Sequence, residues 1–356
     1  MLLLLLRALL FWLSLFEWLA GRRGWWGLTW LGRRAPRAPL GLIALAALLS
    51  LPAGRARRAL GLALAAPLAL GLQVGAGSLR NRALNPLLRL HPGRHADRTV
   101  DSVRIAMPEG YLPAIHVTPH TGAAMAVAVL HGSGDHKLAY TWWIVDALLA
   151  QGIAALLIDL DGHGENPRPQ RFPQIGEDVA AAVDWLRARH PRVGVLGISL
   201  GGCIAARAVA DGVAVDALAV LEAPPALRFT QADMRREALA LAQPRLLDLF
   251  GDCTAYQLAS TWSTAPIRAE ISTWNLIDAL DLLGSLPKIS APLLLVYGAR
   301  DAIVKPAQAT QVRAAMPPHA AFRLEPGASH LTLILSGQTL RMVAEWLRDR
   351  LRAEGS

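Results

Sequence analysis

The sequence predicts an α/β fold from about residue 99 onward, a mostly parallel and doubly wound sheet, preceded by an N-terminal α-helical region suited to a membrane. Three observations carry this. After residue 99, short β-branched and alanine-rich runs alternate with helical patterns, as strands and crossover helices do in a parallel sheet. From residue 124 the runs are almost continuously apolar, which is how strands covered on both faces read. The first hundred residues have a different texture, in which long apolar stretches are separated by arginines.

A chain of 356 residues makes one large domain or two ordinary ones. With 53% of residues hydrophobic and 18% charged, a disordered chain is excluded. The mean hydropathy of +0.32 is high for a water-soluble enzyme. The net charge of +9 is unevenly placed: residues 1–100 hold 14 Arg, no Lys and two acids, Glu17 and Asp97, for +12, whereas the remainder sums to −3. Because the arginines interleave with apolar stretches and not with polar and aromatic surface, the partner they indicate is membrane lipid, reached through residues 1–80, and not nucleic acid.

Three apolar stretches occupy residues 1–20, 38–54 and 59–79. A span needs about 20 residues, with about 17 as the lower bound. The third stretch has no charge at its centre and qualifies as a span despite Pro67, which membrane helices tolerate. The second is barely long enough. The first carries Arg7 and Glu17, so it either spans with those groups near its ends or lies along the interface. It is a poor secretory signal, because no charged region precedes its leucines and Glu17 interrupts it. Trp25, Trp26 and Trp30 sit among Arg22, Arg23, Arg33 and Arg34, a pattern of interfacial anchoring. If all three stretches span, ten arginines fall on one side and four on the other, which puts the downstream domain in the cytoplasm at the inner or plasma membrane; a hairpin of the last two gives the same side, and a single span reverses it. The expected organisation is a membrane-anchoring region, 1–98, and a catalytic domain, 99–356.

In that domain the expected strands are 102–107, 113–117, 124–130, 153–160, 192–198, 215–221, 292–297 and 321–324. Between and after them run helical stripes, with Ile175, Val179, Val183 and Leu186 in one and Leu340, Val343, Leu347 and Leu351 in another.

Gly197-Ile198-Ser199-Leu200-Gly201 follows an apolar strand and opens a helix. A G-x-S-x-G turn of this kind presents the serine on a bend too sharp for side chains beside it, which makes Ser199 the candidate nucleophile. Such a serine needs a base, and the base needs an orienting acid. Asp301 stands where the strand PLLLVYG ends, and His330 lies on a loop after the next strand, giving the chain order Ser, Asp, His. Acyl transfer also needs donors for an oxyanion. Leu130-His131-Gly132-Ser133-Gly134 follows the third apolar strand, so the N–H groups of Ser133 and Leu200 are the candidates. His131, placed before a glycine-rich turn, is read as organising the loop. No phosphate loop and no zinc spacing of His or Cys occurs, so neither a metal nor an organic cofactor is expected.

Together HGSG, Asp161-Gly162-His163-Gly164-Glu165, GISLGG, YGARD and GASH resemble the α/β-hydrolase superfamily over residues 99–356, in the layout of its monoglyceride-lipase, carboxylesterase and serine-aminopeptidase-like members. The N-terminal region lies outside the resemblance. What the resemblance implies is a helical lid over the nucleophile at about 223–290, containing Phe229, Phe250, Trp262 and Trp274, whose rings either meet an apolar acyl group or pack the lid itself. It also implies that 161–165 is a structural turn, so His163 is not read as catalytic, and it offers Glu222, after the sixth strand, as a second candidate for the acid. The expected function is a membrane-anchored serine hydrolase acting on an ester with an apolar or lipid-derived acyl group. An acyltransferase would use the same triad, with an alcohol in place of water. A non-catalytic, membrane-recruited scaffold predicts loss of a catalytic element, and none is missing.

Overall fold

The computed structural model describes residues 2–23, 37–50, 54–83, 90–138, 141–241, 267–334 and 336–352. By internal contacts the chain divides into two units, one built on residues 1–85 and the other on residues 86–240 and 260–356.

In the first unit the leucine- and alanine-rich stretches form helices α1 (Leu2–Arg23), α2 (Ala38–Ser50) and α3 (Arg55–Ala83), with Pro67 inside α3. Helix α1 packs against both others. The buried positions are small, Ala8, Ala46, Ala65 and Ala69, whereas Leu3, Leu6, Leu48, Leu64 and Leu68 are exposed. A Cβ on Gly61 would come within 3.2 Å of Leu4, so glycine lets the two helices approach. Polar contacts cross the bundle: the Trp12 indole N–H donates to the Leu62 carbonyl at 2.9 Å, and the Gln73 amide donates to Glu17 at 2.8 Å. Among the described residues Leu2–Leu19, with mean hydropathy 1.9, is long and apolar enough to cross a membrane. The stretch with the most ambiguous sequence therefore meets the length and hydropathy requirement in spite of Arg7 and Glu17. Trp25, Trp26 and Trp30 lie outside the described residues.

The second unit is a nine-stranded sheet. Its strands are β1 (Gly93–Arg94), β2 (Arg98–Ala106), β3 (Tyr111–Pro119), β4 (Met125–Leu130), β5 (Ile153–Ile158), β6 (Arg192–Ile198), β7 (Ala217–Leu221), β8 (Leu293–Gly298) and β9 (Ala321–Glu325), in spatial order 1-2-3-5-4-6-7-8-9. The first three run antiparallel, β3 meets β5 antiparallel, and β4 to β9 are parallel. Helices of at least eight residues cover it: α4 (Thr141–Leu149), α5 (Gly176–Arg187), α6 (Leu200–Ala210), α7 (Gln231–Leu241), α8 (Thr273–Leu280), α10 (Pro306–Ala315) and α12 (Gly337–Leu351), with the single turns α9 (Leu282–Ser285) and α11 (His330–Leu333) between them. Ala126, Ala128 and Leu130 of β4 share one core with Val179 and Val183 of α5 and Ile204 of α6. On the other face α12 lies against α4, β6 and β7, burying the stripe Leu340, Val343, Leu347 and Leu351.

All eight expected strands occur at their places. The two-residue β1 is an addition, too short to carry a pattern. Unlike β5, β7 and β8, which are wholly buried, β9 is half exposed, because it is the last strand and only β8 pairs with it.

Candidate active site

The strand-to-helix turn between β6 and α6 places Ser199 at φ +50, ψ −115, a conformation that a non-glycine residue adopts at a cost of about 1–3 kcal/mol. Its glycines are obligatory for space: a Cβ on Gly197 would lie 2.5 Å from the Gly201 carbonyl oxygen, and one on Gly201 would lie 2.6 Å from the carbonyl oxygens of Leu130 and His131. Ser199 N–H donates to Leu221 O at 2.8 Å, which ties the turn to the end of β7.

Asp301 and His330 come from the loops after β8 and β9. Those loops are laced together, since Arg300 N–H donates to Ala328 O at 2.8 Å and Ala299 N–H to Glu325 O at 2.9 Å. Gly298 permits it, because a Cβ there would stand 2.5 Å from the Ala328 oxygen. Buried Asp301 accepts from the N–H groups of Ile303 and Val304 on Oδ1, both at 2.7 Å, and faces His330 Nδ1 with Oδ2 at 2.8 Å. His330 Nε2 is 3.2 Å from Ser199 Oγ. The three sequence-predicted residues thus form one hydrogen-bonded chain. Burial of His330 disfavours its charge, yet the charge and hydrogen bond of Asp301, with Glu237 and Asp135 beyond, outweigh that and hold the imidazole above its ordinary value.

Glu222 follows β7, with its oxygen 3.8 Å from His330 Nδ1, beyond hydrogen-bond reach. Of the two candidate acids, Asp301 is therefore the one bonded to the imidazole. Burial foremost, then the charges of Asp301 and Glu237, push the Glu222 carboxyl well above the usual carboxylate range.

Ser133 and Leu200 both border the cavity beside Ser199. Gly134, at φ +78, lets the chain turn there, and Asp135 N–H closes the turn on Gly132 O at 3.3 Å. His131 is buried away from the serine: its Nδ1 donates to Gly132 O at 2.7 Å and its Nε2 accepts from Leu160 N–H at 3.1 Å, which clasps the ends of β4 and β5. His163 Nδ1 donates to Asp161 O at 2.9 Å. The turn at 161–165 stands on buried ion pairs, Lys137 with Asp159 at 2.6 Å and Arg168 with Asp161 at 2.8 Å and with Asp178. Both histidines belong to the framework, as their sequence context indicates.

A cavity of about 370 Å³ opens over Ser199, with apolar walls from Leu227, Phe229, Met234, Trp274, Ile277 and Ile334. Phe229 and Trp274 stack with ring centroids 4.9 Å apart, so these rings both pack each other and face the cavity. Phe250 and Trp262, with the rest of 242–266, lie outside the described residues. One participant left no motif in the sequence. Glu237, on α7 within the insertion, accepts from Ala302 N–H at 2.7 Å and reaches Leu331 N–H at 3.5 Å, holding the neighbours of both Asp301 and His330. Only its distance in space, not its spacing in sequence, marks it.

Comparisons with known proteins bear on the family and the fold. The chain is 32% identical over 256 residues, 64% of its length and 96% of the other's, to a pimeloyl-[acyl-carrier protein] methyl ester esterase of Chromobacterium violaceum. A protein of the same description from Xanthomonas oryzae pv. oryzae is 27% identical over 237 residues, 59% of this chain and 89% of that one. A solved Pyrococcus furiosus esterase superposes with a TM-score of 0.53 at 20% identity, covering 74% of this chain and 98% of that one, a likeness of fold. The model of the alpha/beta hydrolase family matches residues 127–344, from β4 into α12, a stretch that includes the serine turn, both loops and the cavity. The chain belongs to the alpha/beta hydrolase family.

Proposed function

We propose that the chain is a membrane-anchored serine hydrolase that cleaves a carboxylic ester through an acyl-enzyme on Ser199. His330 Nε2 takes the Ser199 proton as Oγ attacks the carbonyl carbon, and the N–H groups of Ser133 and Leu200 receive the oxyanion. Collapse breaks the ester bond, and His330 returns the proton to the departing alcohol. Water, deprotonated by the same imidazole, then attacks the acyl-enzyme, and the acid leaves with Ser199 restored. Asp301 keeps the proton of His330 on Nδ1, so that Nε2 is free to accept. The observation that carries the reading is the hydrogen-bonded chain Asp301–His330–Ser199 at an apolar cavity.

The cavity walls favour an apolar acyl chain, and the similarity to pimeloyl-[acyl-carrier protein] methyl ester esterases makes methyl esters of acyl chains the first substrates to try. Anchoring is supported by the outward leucines of α1 to α3, and the arginine count favours a cytoplasmic hydrolase domain. A fluorophosphonate probe, followed by methyl esters of increasing chain length, tests the enzymatic part. The expected result is a single adduct on Ser199 and turnover that rises with chain length until the cavity is filled. An adduct on another serine, with Ser199 unlabelled, overturns the assignment.

A further inference from the structure

Helix α7 faces the cavity and the catalytic loops together. Its Met234 forms part of the cavity wall and, at 48% exposure, is a large apolar side chain left open. Three residues on, and so on the same side of the helix, Glu237 is buried and borders the same cavity. Its two carboxyl oxygens reach two different loops. Oε1 accepts from Ala302 N–H at 2.7 Å, next to Asp301, and Oε2 stands 3.5 Å from Leu331 N–H, next to His330. Resting on the reading of Asp301 and His330 as acid and base for Ser199, we propose that Glu237 is a positioning residue that carries acyl-chain seating to the triad. A chain packed against Met234 steadies α7, and Glu237 then fixes the loops that hold Asp301 and His330 at bonding distance.

The two loops are joined to each other in front of their catalytic residues, where Ala299 N–H donates to Glu325 O and Arg300 N–H to Ala328 O. Behind those residues the tie is Glu237. After Asp301, the N–H groups of Ile303 and Val304 turn back to its own Oδ1, which leaves Ala302 N–H for a partner outside the loop. After His330, the N–H groups of Thr332 and Leu333 turn back to Ser329 O, which leaves Leu331 N–H. A carboxyl suits this place because it offers two acceptor oxygens, whereas an amide offers one. Helix α7 and the segment leading into it are fastened to the stretch after Asp301 as well: Asp233 pairs with Lys305 at 3.1 Å and accepts from Thr230 N–H at 2.8 Å, and the Gln308 amide donates to Ala226 O at 2.6 Å. A shift of α7 is therefore passed to the Asp301 loop. Covering Met234 with an acyl chain removes apolar surface from water, and the free energy gained by holding α7 in place appears in turnover as well as in affinity.

The test compares kcat and KM of the full chain on methyl butyrate and methyl octanoate, with circular dichroism to check folding and S199A as a control. In the unaltered protein kcat should be about tenfold higher on the octanoate. E237A should lose about 10²-fold in kcat on the octanoate and about tenfold on the butyrate, so that kcat no longer depends on chain length while KM still falls with it. E237Q, which keeps one acceptor oxygen, should lose less than E237A on both esters. In D301N, which loses about 10⁴-fold, adding E237A should cost no more than about threefold, because the bond that Glu237 supports is already broken. If E237A does not fold, E237Q and D301N/E237Q make the same comparison. A kcat that still rises with chain length in the Glu237 variant, or an equal loss from that variant with and without Asp301, overturns the proposal. Activity surviving in S199A would instead overturn the reading on which it rests.

Discussion

Leucine faces opposite ways in the two units. In the catalytic unit Leu156, Leu157 and Leu294 are sealed inside the sheet, whereas in α1 to α3 Leu3, Leu6, Leu48, Leu64 and Leu68 point outward and alanines fill the contacts. Water drives the first arrangement, because each buried leucine side chain gains about 1.5–3 kcal/mol. Lipid offers no such gain, and helices there associate through small residues that let backbones approach. Polar groups make the same point. The Glu17–Gln73 and Trp12–Leu62 bonds satisfy side chains inside an apolar bundle, while the catalytic unit uses buried ion pairs to hold a turn beside the active site. On the anchoring proposed above, the two units are written for different solvents, lipid for α1 to α3 and water for the sheet.

The largest expected effect separates chemistry from anchoring. Ser199→Ala should reduce turnover by about 10⁴–10⁶-fold, leaving only oxyanion and binding contributions, while the amount of protein in carbonate-washed membranes stays unchanged. A variant that lost both would show that the two units are not independent. Removal of residues 1–85 should move the protein wholly into the soluble fraction with probe labelling kept, since the second unit begins at Pro86 and holds every site residue. The cut must spare β1, because Gly93 and Arg94 pair with β2.

The same substitution placed in both units sharpens the contrast. Leu156→Ala should lower the unfolding free energy of the catalytic unit by about 2–5 kcal/mol, and Leu64→Ala should change that transition by no more than about 0.5 kcal/mol, measured by urea denaturation in detergent. A large effect of Leu64 there would mean that its outward face is covered by protein. A further effect is on pH. His330 is held above the ordinary histidine value of about 6.5, and only its neutral form accepts the serine proton. As pH falls through that raised value, kcat/KM should therefore drop about tenfold per unit, beginning above pH 6.5. A plateau extending well below 6.5 would contradict the charge arrangement around the imidazole.

The sequence made the strands and the three residues of the hydrogen-bonded chain legible for physical reasons. Continuous apolar runs such as IAALLI can only be buried strands or helices, and length separates the two; the serine turn needs glycines where backbones nearly touch, so Gly197 and Gly201 mark it. His131 and His163 could be assigned to the framework from their glycine-rich contexts. The sequence before Asp301 favoured it over Glu222, but their distances of 2.8 Å and 3.8 Å to the imidazole were not legible in it. Glu237 was not legible either, because a carboxylate in an insertion has no motif and its partners are backbone N–H groups far along the chain. In the N-terminal unit the sequence supplied helices and apolar faces, but which residues turn inward depended on pairing between helices, as Ala8, Ala46 and Ala65 illustrate.

Labelling of washed membranes decides whether Ser199 is the nucleophile of a hydrolase held in a membrane. Membranes from cells expressing the full chain are washed with carbonate, labelled with a fluorophosphonate and analysed by peptide mass spectrometry. The account predicts that the labelled protein stays in the washed membranes and that the adduct lies on the peptide containing Ser199. Label on Ser199 found only in the wash would contradict the anchoring, and an adduct at any other serine would contradict the active site.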